Sequence, residues 1–179
     1  QASGNPTIVR ARLVSVDFEL LASRGEQSGS GDTLRLNLFS DASFVAVLDR
    51  VEALAPERFI WVGHLEGIKH SQATLVVRDG VLAGNVDFPG GYYQVRYAGN
   101  RIHAVQEIDP SAFPPSDEPL PADVPADFAD GIADGRLADD GSLIDVLVVY
   151  TSDARQVVGG ILAMEALIQL AVAETNNAY

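Results

Sequence analysis

Hydrophobic and polar residues alternate with period two along Thr33-Leu34-Arg35-Leu36-Asn37-Leu38-Phe39, which puts Leu34, Leu36 and Leu38 on one face of a predicted strand. Further strand-like runs follow at short intervals: Ile8 to Leu20, Phe44 to Val51, Arg58 to His64, Ala73 to Arg78, Val81 to Val86, Tyr92 to Tyr97 and Arg101 to Glu107. Such spacing suits an antiparallel meander closed into a sandwich or a barrel-like domain, with the strand order left open. Asp79-Gly80 and Gly99-Asn100 sit where tight hairpin turns are needed, and both pairs tolerate positive φ. Phe88-Pro89-Gly90-Gly91 reads as a longer reversal, and Ser23 to Asp32, rich in Gly and Ser, as a flexible loop. Residues 7–108 are therefore predicted to form one all-β domain.

The pattern changes abruptly near the C-terminus. Ile144-Asp145-Val146-Leu147-Val148-Val149-Tyr150 is a nearly unbroken apolar run, as expected of a strand covered on both faces. After Gly159-Gly160, residues Leu162, Met164, Leu167, Ile168, Ala171 and Val172 recur at helical spacing. One strand and one helix cannot close a core. Residues 143–179 are thus expected to be an incomplete α/β strand-helix unit, the start of a truncated domain. The helix would dock on the β-domain, self-associate or complete a partner chain.

Between these parts, residues 109–142 hold six of the nine prolines and nine acids against one base, Arg136. Proline removes backbone donors and like charges repel, so this stretch is predicted to be an extended acidic linker. The fold class is therefore mainly β, followed by an acidic linker and the strand-helix unit.

Composition then narrows the chemistry. A net charge of −13 over 179 residues argues against nucleic acid or anionic membrane surfaces as partners. The absence of cysteine removes disulfides, thiolate catalysis and Cys-ligated zinc. No apolar run is long enough for a membrane helix, and the first six residues lack the features of a signal peptide, which points to a cytosolic or an already processed chain. His64 and His103 fall in predicted strands and His70 in a loop, spacings that match no helical ligand pair. Clustered Asp in the linker suggests calcium, but the Asp-x-Asp-x-Asp-Gly spacing of a calcium loop is missing. Trp61, Tyr92, Tyr93 and Tyr97 are candidates either for core packing or for a carbohydrate-binding platform.

The run from Ile144 to Thr151, with Ala154-Arg155, Gly159-Gly160 and Ala166 through Glu174-Thr175-Asn176-Asn177-Ala178-Tyr179, closely resembles the opening of the catalytic domain in secreted bacterial zinc metalloendopeptidases. These are of the reprolysin-like (metzincin) group, and the chain looks most like the peptidyl-Asp metalloendopeptidases. Upstream, Leu36 to Asp41, Phe59 to Leu65 and Tyr92 to Tyr97 resemble the propeptide of such enzymes. The resemblance implies a zymogen: residues 7–108 as propeptide, 109–142 as linker, and 143–179 as the first strand and helix of the protease. It also implies secretion, with the signal peptide already removed.

The family's His-Glu-x-x-His-x-x-Gly-x-x-His motif is absent, so no catalytic or metal-ligating residue is assigned within this chain. The resemblance places zinc in the parent enzyme, and names the rest of the catalytic domain and protein substrates as partners. Asp87 is the one candidate for an inhibitory contact to that zinc, because a carboxylate can replace the zinc-bound water. If the enzyme cuts beside aspartate, Asp127, Asp130, Asp134, Asp139, Asp140 and Asp145 are candidate processing sites. Two readings compete with the pro-region: a non-enzymatic extracellular β-domain binding carbohydrate or protein, and an independent protease inhibitor. In the first the C-terminal helix would pair with another chain, while the resemblance over Val148 to Tyr179 speaks against it, and the second should not need residues 143–179.

Overall fold

The computed structural model describes residues 5–19, 21, 32–55, 57–115 and 146–178. The chain divides into two compact units, Gln1–Phe113 with Tyr150–Tyr179, and Pro114–Val149. The first contains eight strands: β1 (Ile8–Ser15), β2 (Thr33–Phe39), β3 (Ala42–Ala55), β4 (Arg58–Leu65), β5 (Gln72–Arg78), β6 (Val81–Phe88), β7 (Gly91–Gly99) and β8 (Ile102–Ile108). Each of the eight predicted runs contains a strand, but the first, expected over Ile8 to Leu20, ends as strand at Ser15, and residues 18–19 are helical. The strands form one antiparallel sheet in the order β1-β8-β7-β6-β5-β4-β3-β2.

Strands β2 to β8 follow one another as hairpins, as the meander reading requires, but β1 pairs with β8 instead of with β2. The β1 and β2 ends of the sheet are linked through side chains. Arg10 on β1 reaches Asp41 at 2.8 and 2.9 Å and stacks its guanidinium 4.2 Å from the Phe39 ring centre. Arg12 donates from Nε to the Leu38 carbonyl at 2.5 Å and from Nη2 to the Asn37 carbonyl. Cations thus occupy carbonyls of the β2 edge that would otherwise template a further strand.

The hairpin turns depart from the sequence reading at two of three corners. Phe88 pairs directly with Gly91, so the reversal is only Pro89-Gly90, with Gly90 at φ 103°. At the β7-β8 corner, Gly99 pairs with Ile102 and the turn falls on Asn100-Arg101, both at positive φ (52° and 61°). Gly99 instead belongs to a bulge after Tyr97, so the expected Gly99-Asn100 turn is shifted by one residue. Asp79-Gly80 turns as predicted, with φ values of 48° and 79°. Arg101 has a Cβ that disfavours its left-handed backbone, so Arg101→Gly is expected to stabilise the domain by about 0.5–1 kcal/mol, read as a raised urea midpoint.

Alternation within the strands creates two cores. The inner face gathers Leu34, Leu38, Leu48, Phe59, Trp61, Leu65, Leu75, Val77, Leu82, Val86, Tyr93, Val95 and Val105. On the middle strands the intervening residues are apolar too: Ile60, Val62, Val76, Val81 and Ala83 build a second cluster on the opposite face. An antiparallel sheet wet on one side would be polar there, so this face needs a cover.

His103 on β8 has none of its surface exposed and lies between the Phe18 and Tyr97 rings, centroids 5.8 and 5.4 Å away. β6 leaves its ladder with β7 before Gly84, and His103 Nε2 accepts the hydrogen bond of the Leu82 N–H at 3.0 Å. That bond requires the neutral tautomer with its proton on Nδ1, which is buried without a well-formed partner. Burial lowers the His103 pKa below its usual 6.5, the Arg101 carbonyl opposing only in part. The folded state therefore binds fewer protons than the unfolded chain just below that value. The stabilisation is complete above about pH 6.5 and is lost as the pH falls toward the folded pKa. Urea midpoints are expected to drop between about pH 7.5 and about pH 5.5, and His103→Gln, whose amide oxygen can still accept from Leu82, is expected to flatten that drop.

The C-terminal segment supplies two helices, α1 (Ser152–Val157) and α2 (Ile161–Ala178). Thr151 caps α1, its hydroxyl accepting from the Ala154 N–H at 3.1 Å. Gly159 and Gly160, at φ 100° and 111°, turn the chain from α1 into α2. A Cβ at Gly159 would lie 2.8 Å from the Tyr97 ring, so the glycine serves close approach as well as the turn.

The expected strand over Ile144 to Tyr150 requires correction. Residues 146–150 carry no regular secondary structure and are exposed, Leu147 at 89% and Val149 at 82%. A strand apolar on both faces forms only between neighbouring strands, and none of the eight described strands pairs with it. The expected Ser23 to Asp32 loop, except Asp32 itself, and most of the acidic linker, including Asp127, Asp130, Asp134, Asp139, Asp140 and Asp145, lie outside the described residues. The described start of the linker caps β8: Asp109 accepts from the Ser111 N–H at 2.9 Å and opens a single 3-10 turn, Pro110–Ala112.

Candidate functional site

Helix α2 is the cover that the second core needs. Ala163, Ala166, Leu170 and Ala173, spaced along one stripe, press onto Ile60, Val62, Val76, Val81 and Ala83. Ala166 has no exposed surface. Three of the four stripe residues being alanine lets the helix backbone approach the sheet closely. Tyr97, Val158 and Leu167 pack around the seam.

Polar clamps hold the helix on both sides of this seam. Near its start, Glu165 bonds Arg78 at the end of β5, Oε2 to Nη2, at 2.6 Å. Near its end, Glu174 accepts from Asn85 Nδ2 at 2.8 Å. Arg96 on β7 donates to the other end of the same amide, Nη2 to Asn85 Oδ1 at 2.8 Å, and to the Gly84 and Val95 carbonyls at 2.8 and 2.9 Å. Asn85 is thereby fixed in one orientation, oxygen toward Arg96 and nitrogen toward Glu174.

Burial sets the electrostatics of this second clamp. It raises the Glu174 pKa above the ordinary carboxyl range, with Asn85 and Arg96 opposing and Asp87 adding to the rise. It lowers the Arg96 pKa, which Tyr92 and Glu174 partly restore. Beside Glu174 a cleft of about 410 Å³ opens, lined by Gln72, Asn85, Asp87, Tyr92, Pro110 and Glu174.

The sequence-predicted candidates are thus distributed unequally. Asp87 stands at the end of β6, exposed, in the same cleft as Glu174. His64 is exposed and paired with Asp49 at 2.9 Å, His70 is exposed in a turn at φ 56°, and His103 is buried between Phe18 and Tyr97. They share no site. Among the described residues no group of three or more His, Asp or Glu could hold a metal ion. Trp61, 2% exposed, packs in the inner core, and Tyr92 and Tyr93 point to opposite faces, so the aromatic residues do not assemble into a platform. No described helix is long and apolar enough to cross a membrane.

Sequence reasoning missed Asn85, Arg96, Glu174, Arg78 and Glu165. The available signal was the doubling of apolar faces on three consecutive strands, Phe59 to Val62, Leu75 to Val77 and Val81 to Ala83, which marks where a second layer must lie.

No protein-family model and no solved structure matches the chain. Curated proteins do. A peptidyl-Asp metalloendopeptidase of Xanthomonas campestris pv. campestris is 28% identical over 98% of this chain and 44% of its own length. Two proteins of the same name from Stenotrophomonas maltophilia are 33% and 31% identical over 75% of this chain and 36% of their own. The chain spans less than half the length of these relatives. Over nearly all of its residues, this chain is homologous to the peptidyl-Asp metalloendopeptidases.

Proposed function

We propose that the chain is the pro-region, with the beginning of the catalytic domain, of a secreted zinc metalloendopeptidase zymogen. The observation that carries this reading is the grip of the β-sheet on helix α2. The helix belongs to the segment that resembles the start of the protease, and the sheet to the segment that resembles a propeptide. A β-domain that covers this helix both supports its folding and stands next to the enzyme built upon it, so inhibition is steric. Homology to metalloendopeptidases supports peptide-bond hydrolysis as the parent activity, with zinc as its metal and a cut beside Asp as its specificity. The zinc ligands and the catalytic base belong to other parts of the parent, and the rest of the catalytic domain and protein substrates are its partners.

Activation follows by cutting the acidic segment, for which Asp127, Asp130, Asp134, Asp139, Asp140 and Asp145 are the self-processing candidates. The reading is tested by assaying the full-length parent on an Asp-containing peptide before and after a cut engineered between residues 116 and 145 and removal of the β-domain. Activity should rise at least tenfold. An uncut parent as active as the cut one would overturn the reading.

A further inference from the structure

We infer that the outer face of β4-β5-β6 is a receptor for helix α2 whose hold does not depend on the covalent linker, so that a cut in the linker leaves the β-domain bound. The inference deepens the pro-region reading and takes its biological setting from it.

Three features of the contact support it. The seam is apolar and complete: Ala163, Ala166, Leu170 and Ala173 are each no more than 3% exposed, and their partners Ile60, Val62, Val76, Val81 and Ala83 no more than 6%. Polar pairs flank it at both ends, Arg78 Nη2 with Glu165 and Asn85, ordered by Arg96, with Glu174, while Arg78 Nε and Gln169 Oε1 are buried without a hydrogen-bond partner. Separating the two would strip the middle of the sheet of its only described cover and leave Asn85 without its helix partner Glu174. None of these residues lies in the linker.

A tether acts by raising the local concentration of a partner, to roughly millimolar for a short flexible one. If the tether alone held the β-domain in place, cutting it would release the domain at once upon dilution. A contact that buries an apolar seam and two polar clamps instead keeps its partner at far lower concentration. The first cut then primes the zymogen, and loss of the β-domain is a second, separate event. The segment that binds this face is specified as well: a helix with alanine at three of four stripe positions and leucine at the other, an acid that meets Arg78 and a second acid nine residues later that meets Asn85.

The test uses the full 179-residue chain with a site for a specific protease placed between residues 116 and 145. The chain is cut to completion and passed over a size-exclusion column at about 10 µM, well under the millimolar effective concentration of a tether. The two pieces are expected to elute together. Ala166→Trp, which puts a bulky ring into the fully buried centre of the seam, should separate them while the circular dichroism of the β-domain is unchanged. Glu165→Arg should weaken the association at least tenfold, and Arg78→Glu combined with Glu165→Arg should restore most of it. Separation of the unsubstituted pieces, or co-elution that ignores Ala166→Trp, overturns the inference. Separation would leave the pro-region reading standing on its own activity assay, with the tether as the sole hold.

Discussion

Gly63→Ala is expected to destabilise the β-domain by about 3 kcal/mol or more, beyond the usual cost of one added methyl group in a core. A Cβ at Gly63 would lie 2.1 Å from the Val47 carbonyl oxygen on the neighbouring strand and 2.5 Å from the Trp61 ring. The ring could shift at some cost, but the carbonyl belongs to the β3-β4 ladder and moves only if the two strands part. Trp61 is the only tryptophan of the chain, so its fluorescence reports the transition directly. A urea midpoint within error of the unsubstituted protein would show that the strands are not as close as described. Because the carbonyl is the harder obstacle, trimming Trp61 is not expected to rescue Gly63→Ala.

Trp61→Ala has the second large effect, a loss of about 3–5 kcal/mol. The ring is 2% exposed and lies among Leu48, Phe59, Leu65, Leu75 and Val77, where no neighbour can collapse into the space it would leave. For a domain of about 100 residues such a loss lowers the melting temperature by on the order of 20 °C. Thermal unfolding followed by circular dichroism at the β minimum checks it. A change of only a few degrees would place Trp61 at the surface, where the carbohydrate-platform reading would need it.

The strands were legible because each carries its own signal. Alternation in Thr33 to Phe39 and the Asp79-Gly80 turn are local, and local rules decide them. The partner of β1 was not legible, because its pairing with β8 joins residues nearly 100 positions apart and no turn residue announces it. The one-residue shift at Gly99 has a similar origin. Glycine is preferred both in a bulge and in a hairpin turn, and only the register with Ile102 decides between them. The strand expected at Ile144 to Tyr150 shows the limit of reading apolar runs: the sequence states that the segment needs burial, and the sheet to provide it must come from elsewhere.

The functional interface was legible only in outline. The wide apolar stripe of the helix demanded a partner, and docking on the β-domain was one of three outcomes it allowed. The clamps that select this outcome are single polar residues on strands, Asn85 and Arg96, which in a sequence look like ordinary solvent-facing positions. Their role depends on Glu174, some 80 to 90 residues away, being brought beside them. Asp87, singled out only for its place before the Phe88-Pro89-Gly90-Gly91 reversal, lines the cleft beside Glu174.

The central claim, that residues before the catalytic segment are a pro-region removed on activation, is tested most directly on the native protein. The active protease is isolated from its source, its N-terminus is sequenced and its zinc content is measured by atomic emission. The account predicts one zinc per chain and an N-terminus that begins between residues 127 and 146, with the β-domain absent from the active species. An active enzyme that retains Ile8 to Ile108 in its covalent chain, or a native polypeptide that ends at Tyr179 and holds no metal, would contradict it.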